Sequence, residues 1–158
     1  MEVITLRAVT QENWHEALRL EVSPDQQRYV AGYAPIVALA LAKAYVHLGN
    51  ATWDPYAIYA DTTMVGFVAL SYIPDSTEEF WIFHFFIDVH YQCRGYGTAA
   101  LQRLIELVRY DHPRCQSLRL VVHPENHRAR QFYAAAGFRP TGAERWGEPV
   151  FHLMMPGE

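Results

Sequence analysis

Lysine is almost missing from this chain: Lys43 is the only one, so its positive charge is carried by arginine. Cysteine is nearly as scarce. Cys93 and Cys115 have no C-x-x-C spacing, which excludes a disulfide framework and a cysteine-based zinc site. His123 and His127 are four apart, but Pro124 lies between them and the Glu of a helical H-E-x-x-H pair is missing, so no metal is expected. No long hydrophobic run is present. The apolar run at Phe80 to Val89 is about half the roughly 20 residues a membrane helix needs. The opening MEVITLRAVT lacks a basic region followed by an apolar core, so no signal peptide is expected. There is no G-K-[ST], which rules out a P-loop, and no internal repeat, low-complexity tract or linker. A net charge of −4 argues against nucleic acid and permits a cationic partner. These absences leave one soluble, cytoplasmic domain over 1–158 with enough apolar residues for a real core.

What is present is concentrated in Phe80 to Arg109. An apolar run suited to a strand buried on both faces leads into Gln92-Cys93-Arg94-Gly95-Tyr96-Gly97. Beyond it, Leu101, Leu104, Ile105 and Val108 recur at helical spacing. A glycine turn between strand and helix leaves backbone N–H groups at the helix N-terminus unshielded, which is a phosphate-binding arrangement.

Around this core the chain reads in order. Val3 to Ala8 forms a strand, and Thr10 caps a helix with Trp14, Ala17 and Leu18 on one stripe. Ser23, Pro24 and Gln26 start a second helix with a capping box. A third helix runs from Ile36 to Leu48 and stops at Gly49. Tyr56 to Ala60 and Met64 to Ile73 form a hairpin about Asp61-Thr62-Thr63. After the central unit come a strand at Leu118 to Val122, a helix at Arg128 to Ala136, and strands at Phe138 to Trp146 and Pro149 to Met155. The class is α/β (α+β), on one mixed sheet.

Gly95-Tyr96-Gly97-Thr98-Ala99-Ala100 also fits the dinucleotide pattern G-x-G-x-x-A. It falls past mid-chain, however, after hairpin-connected strands, with too little sequence beyond it for repeated parallel units. Gln92-x-x-Gly95-x-Gly97 instead resembles the pyrophosphate loop of the GNAT acetyltransferases. Asn126-His127-Arg128-Ala129-Arg130-Gln131-Phe132-Tyr133-Ala134-Ala135-Ala136-Gly137-Phe138 resembles the same family's N-x-x-A-x-x-F-Y-x-x-x-G-F segment. Element order agrees over nearly the whole chain. The resemblance implies a mostly antiparallel sheet of six to seven strands flanked by four to five helices, and acetyl-CoA as the donor.

It also implies the roles of particular residues. The donor's pyrophosphate would be held by Gln92, Cys93, Arg94, Gly95, Tyr96, Gly97 and Thr98. The backbone of Ile87 and Val89 would lie along pantetheine, with Asn126 and Ala129 opposite and Tyr133 as general acid near the sulfur. For the base that the attacking amine needs, Glu79, Glu78 and His84 are candidates beside a water chain. Leu20 to Ala31 resembles the corresponding stretch of bacterial diamine and spermidine/spermine acetyltransferases. Glu21, Tyr33, Glu78 and Trp81 then stand as acceptor residues, acids and aromatics suited to ammonium groups. Polyamine acetylation is the first reading. An aminoglycoside-like drug, a protein amino terminus and a non-catalytic acyl-CoA-binding module are the alternatives, and the presence of Tyr133 favours an enzyme. The resemblance also suggests a homodimer through the C-terminal strands.

Overall fold

A computed structural model describes residues 2–155. Seven strands form one sheet in the order β1-β2-β3-β4-β5-β7-β6. In chain order they are β1 (Ile4–Ala8), β2 (Thr52–Ala60), β3 (Thr63–Tyr72), β4 (Phe80–Ile87), β5 (Ser117–Val121), β6 (Arg139–Arg145) and β7 (Glu148–Met154). The helices are α1 (Trp14–Ala17), α2 (Pro24–Val30), α3 (Ile36–Val46), α4 (Tyr96–Asp111) and α5 (His127–Ala135). The expected mixed sheet and helix number are therefore present. Every neighbouring pair is antiparallel except β4 and β5. Among the described residues, no helix is long and apolar enough to cross a membrane.

Side-chain alternation divides the core. Val68 and Leu70 of β3 pack with Leu101, Leu104 and Val108 of α4, while Phe67 and Ala69 face Ile36, Val37 and Ala40 of α3. Strand β4 breaks this alternation. Phe80 and Ile82 belong to the α4 side, yet Phe86 belongs to the α3 side, while Phe85 and Ile87 pack on the α4 side. The cause is an extra residue. Phe67 pairs with Phe86 and Ala69 with Phe83, so two steps on β3 oppose three on β4, and His84 takes a left-handed φ of 53°. A β-bulge inverts the faces of everything beyond it.

The parallel pair matters most for the site. Strands β4 and β5 pair only at Phe80↔Leu118 and Trp81↔Arg119. Beyond Trp81 no pairing with β5 follows, so the end of β4 that leads to the glycine turn is open on that side.

Several local expectations are corrected. Residue Asn13, not Thr10, stands at the cap of α1, which is a single turn with Trp14 46% exposed rather than on a buried stripe. The Ser23 side chain makes no cap hydrogen bond, and the Gln26 amide reaches Gln92 instead of closing a capping box. Helix α3 ends at His47 in the left-handed conformation, two residues before Gly49. Strand β2 begins at Thr52, ahead of the expected Tyr56.

Candidate active site

Gly95 is the N-cap of helix α4, and its φ of 82° is one an L side chain adopts only with strain. The first hydrogen bond of the helix runs from Ala99 N–H to the Gly95 carbonyl, leaving the preceding N–H groups for a ligand. Gln92 is fixed in place: its Nε2 donates to the Ile87 carbonyl at 2.9 Å and to Gln26 Oε1 at 3.0 Å. A cavity of about 620 Å³ runs from this loop along the open part of β4 to α5.

Ile87, Gln92, Cys93, Gly95, Tyr96, Gly97 and Thr98 line it on one side, and Asn126, Ala129 and Tyr133 on the other. Two residues expected there do not line it. Val89 turns its N–H to the Glu21 carbonyl, and Arg94 is exposed with Nη2 on the His90 carbonyl. Asn126 caps α5, its Oδ1 accepting from Ala129 N–H at 3.2 Å.

Tyr133 is half-buried among Phe85, Phe132 and Phe138, whose ring centroids lie 5.1 to 6.5 Å away. Burial pushes its hydroxyl well above the ordinary tyrosine value, so it stays protonated at neutral pH. A second cavity, of about 290 Å³, shares Tyr29, Val30, Phe85, Asn126, Ala129 and Tyr133 with the first. Tyr133 thus stands where the two meet. Phe83, His84, Trp146 and Glu148 line the second cavity away from that junction.

His84 has both ring nitrogens engaged: Nδ1 lies 2.7 Å from the Val30 carbonyl and Nε2 lies 2.8 Å from Lys43 Nζ. A carbonyl can only accept, so Nδ1 carries the proton and Nε2 accepts from the Lys43 ammonium. Burial, reinforced by Lys43, lowers the imidazole pKa to about 4. The unfolded group titrates near 6.5, so between these values the unfolded chain binds more protons. Stability is full above pH 6.5 and is lost as pH falls toward 4, by about 3 kcal/mol from this residue. We expect His84→Gln to remove that component. Chemical denaturation at several pH values checks it, since carboxylate titration is common to both proteins. A wild-type-minus-variant difference that stays constant across the window would remove the assignment.

Glu79 lines neither cavity; its carboxylate accepts from Trp81 Nε1 at 3.1 Å. Neither do Glu21, Tyr33, Glu78 or Trp81. Glu21 is exposed beside Asp88, Tyr33 is 62% exposed, Glu78 is exposed after Ser76, and Trp81 is buried. Lys43, Trp146, Glu148 and the Gln26–Gln92 pair were not singled out in the sequence. For Trp146 a partial signal exists, because the Gly147 that follows it between two strands marks a hairpin tip.

The acetyltransferase (GNAT) family profile matches residues 8–138. A probable spermine N(1)-acetyltransferase of Bacillus subtilis subsp. natto (strain BEST195) is 30% identical over 144 residues, covering 88% of this chain and 90% of that protein. A spermidine N-acetyltransferase from Vibrio cholerae, solved with CoA and spermine, superposes with a TM-score of 0.71 at 16% identity over 96% of this chain and 95% of that one. The aminoglycoside acetyltransferase AAC(6')-Ib, solved with coenzyme A, gives 0.75 at 18% identity over 96% and 94%. With a family match across most of its length and a strand pair that parts beside a glycine turn, the chain belongs to the GNAT family of acetyltransferases.

Proposed function

We propose that this single domain is an acetyl-CoA-dependent N-acetyltransferase whose acceptor is a primary amine of a polyamine or diamine, such as spermidine or spermine. The observation that carries the transfer reading is the meeting of two cavities at Tyr133. The acceptor class is supported by the relatives, two of which are spermine or spermine/spermidine N-acetyltransferases at about 30% identity.

The donor cavity fits acetyl-CoA. Unpartnered N–H groups at the start of α4 suit a pyrophosphate, and the unpaired edge of β4 suits an amide-bearing arm. When bound, acetyl-CoA supplies a thioester carbonyl activated toward the amine. Gln92, braced by Gln26 and the Ile87 carbonyl, keeps the loop in position. Asn126 and Ala129 form the wall facing β4. The Tyr133 hydroxyl, neutral at working pH, holds a proton for the sulfur position. Neither nitrogen of His84 is free to take a proton from the amine, and Glu79 stands outside both cavities. The acceptor's proton then leaves through water or through the titratable groups that do line the second cavity, His123 and Glu148. The free thiols Cys93 and Cys115 suit the reducing cytoplasm as the working compartment. The exposed edge strand β6 suits a homodimer contact.

A thiol-release assay with acetyl-CoA against spermidine, spermine, a diamine and an aminoglycoside tests the acceptor; turnover of the aminoglycoside alone would overturn the polyamine reading. Calorimetry tests the donor. We expect micromolar acetyl-CoA binding, weakened about tenfold by Gly95→Val, because a β-branched residue resists the left-handed backbone by about 1–2 kcal/mol. No heat from the wild type would sink the donor assignment.

A further inference from the structure

The tip of the β6–β7 hairpin is costly to build. Trp146 and Gly147 both adopt left-handed backbone, with φ of 54° and 77°. A tight hairpin turn favours this conformation, but it is met cheaply by Asn-Gly, and a bulky residue there is an outlier. Trp146 is also 63% exposed, so burial does not repay the strain. Instead its ring lines the acceptor cavity, 5.8 Å from Phe83 and 6.2 Å from Trp81, the latter edge-on.

Against these two indoles lies a cation. The Arg145 guanidinium carbon is 4.6 Å from the Trp81 ring centroid and 4.5 Å from that of Trp146. Glu79 Oε2, held by Trp81 Nε1, is 4.0 Å from Arg145 Nη1. Arg145 itself is loosely held: its side chain is 45% exposed, and 4.0 Å is too long for a hydrogen bond. Two indole faces and a carboxylate are the chemistry that receives an alkylammonium. Trp146 lines the same cavity as Tyr133, so a ligand with amines at both ends can engage the two together.

We propose that Trp146, which lines the second cavity, together with Trp81 and Glu79, which lie outside that cavity beneath Arg145, form a subsite for the distal ammonium of the acceptor, and that Arg145 is an internal cation filling it until the acceptor displaces it. The subsite rests on the polyamine reading and deepens it. Arg145 competes with the substrate, which makes its removal favourable to binding. This sign separates the subsite from a merely structural cluster.

Calorimetric titration of spermine and steady-state KM for spermidine test it together. Arg145→Ala and Arg145→Gln are each expected to tighten spermine binding and lower the KM for spermidine at least threefold, with the KM for acetyl-CoA unmoved. Trp146→Ala and Glu79→Gln are expected to weaken both about tenfold, and Trp146→Phe, which keeps an aromatic face, to recover part of the loss. Arg145 variants that bind spermine no better than the wild type overturn the subsite, even if spermidine is acetylated normally; the polyamine reading then stands alone. If spermine binds with the expected variant pattern but neither it nor spermidine is acetylated, the ammonium site stands as a binding site only and the acceptor reading falls. If it is neither bound nor acetylated, both fall.

Discussion

Tyr133→Phe is expected to lower kcat by about 10²-fold while the KM for acetyl-CoA changes less than twofold. The substitution removes one oxygen and leaves the ring, so the packing on Phe85, Phe132 and Phe138 survives. Helix α5 therefore keeps its seat, and Asn126 keeps its cap on Ala129. What is lost is the only proton this residue can offer where the cavities meet. Because burial raises the Tyr133 pKa, the wild-type rate should show no alkaline fall from this group below pH 10, the ordinary tyrosine value. Steady-state kinetics across pH, with the thermal midpoint measured alongside, separates a chemical loss from a folding one. Equal kcat for the two proteins would remove the acid role.

The glycine turn and the helix start beside the first cavity were legible in sequence because they are built from backbone. A glycine turn and a helix start are local features, and Gln92 to Thr98 carries them in one run. The N-x-x-A-x-x-F-Y segment is equally local. Its asparagine caps α5, so the pattern has a structural reason of its own. The single mixed sheet was legible from hairpins and one strand–helix–strand unit, whereas the placement of β7 between β5 and β6 was not.

Long-range side-chain pairs are different, since they are brought together across the chain. Gln26 meets Gln92, Lys43 meets His84, and Arg145 meets Trp81, each across a long stretch of sequence with no periodicity to announce it. The bulge at His84 was hidden for a related reason. A strand buried on both faces has no polar alternation, so an inserted residue breaks no visible pattern. That insertion turns His84 toward α3 and Lys43, which consumes the imidazole that had looked available as a base. Helix caps failed on a smaller scale. Ser23 and Gln26 have the right spacing, but the amide of Gln26 pairs with that of Gln92 instead.

Gly66→Ala should couple stability to donor binding. Gly66 of β3 pairs with Ile87 at the end of β4, and a Cβ there would sit 2.5 Å from the Phe86 carbonyl oxygen and 3.2 Å from Ile87 Cα. Those are backbone atoms, so no rotamer change relieves the contact and β4 itself must move. Overpacking of this kind costs about 2–3 kcal/mol, or about 5–10 °C in Tm for a domain of this size. The displaced segment is also part of the site: Ile87 lines the donor cavity and its carbonyl anchors Gln92. We therefore expect acetyl-CoA affinity to fall about tenfold at a temperature where the variant is still folded, which exceeds what destabilisation alone would produce. Adding Ile87→Val deletes the Cδ1 atom that would lie 3.0 Å from the new methyl. It leaves the carbonyl clash untouched, so the double variant should recover little of either loss. Full recovery would mean that the side chain of Ile87, rather than the path of β4, is what Gly66 accommodates.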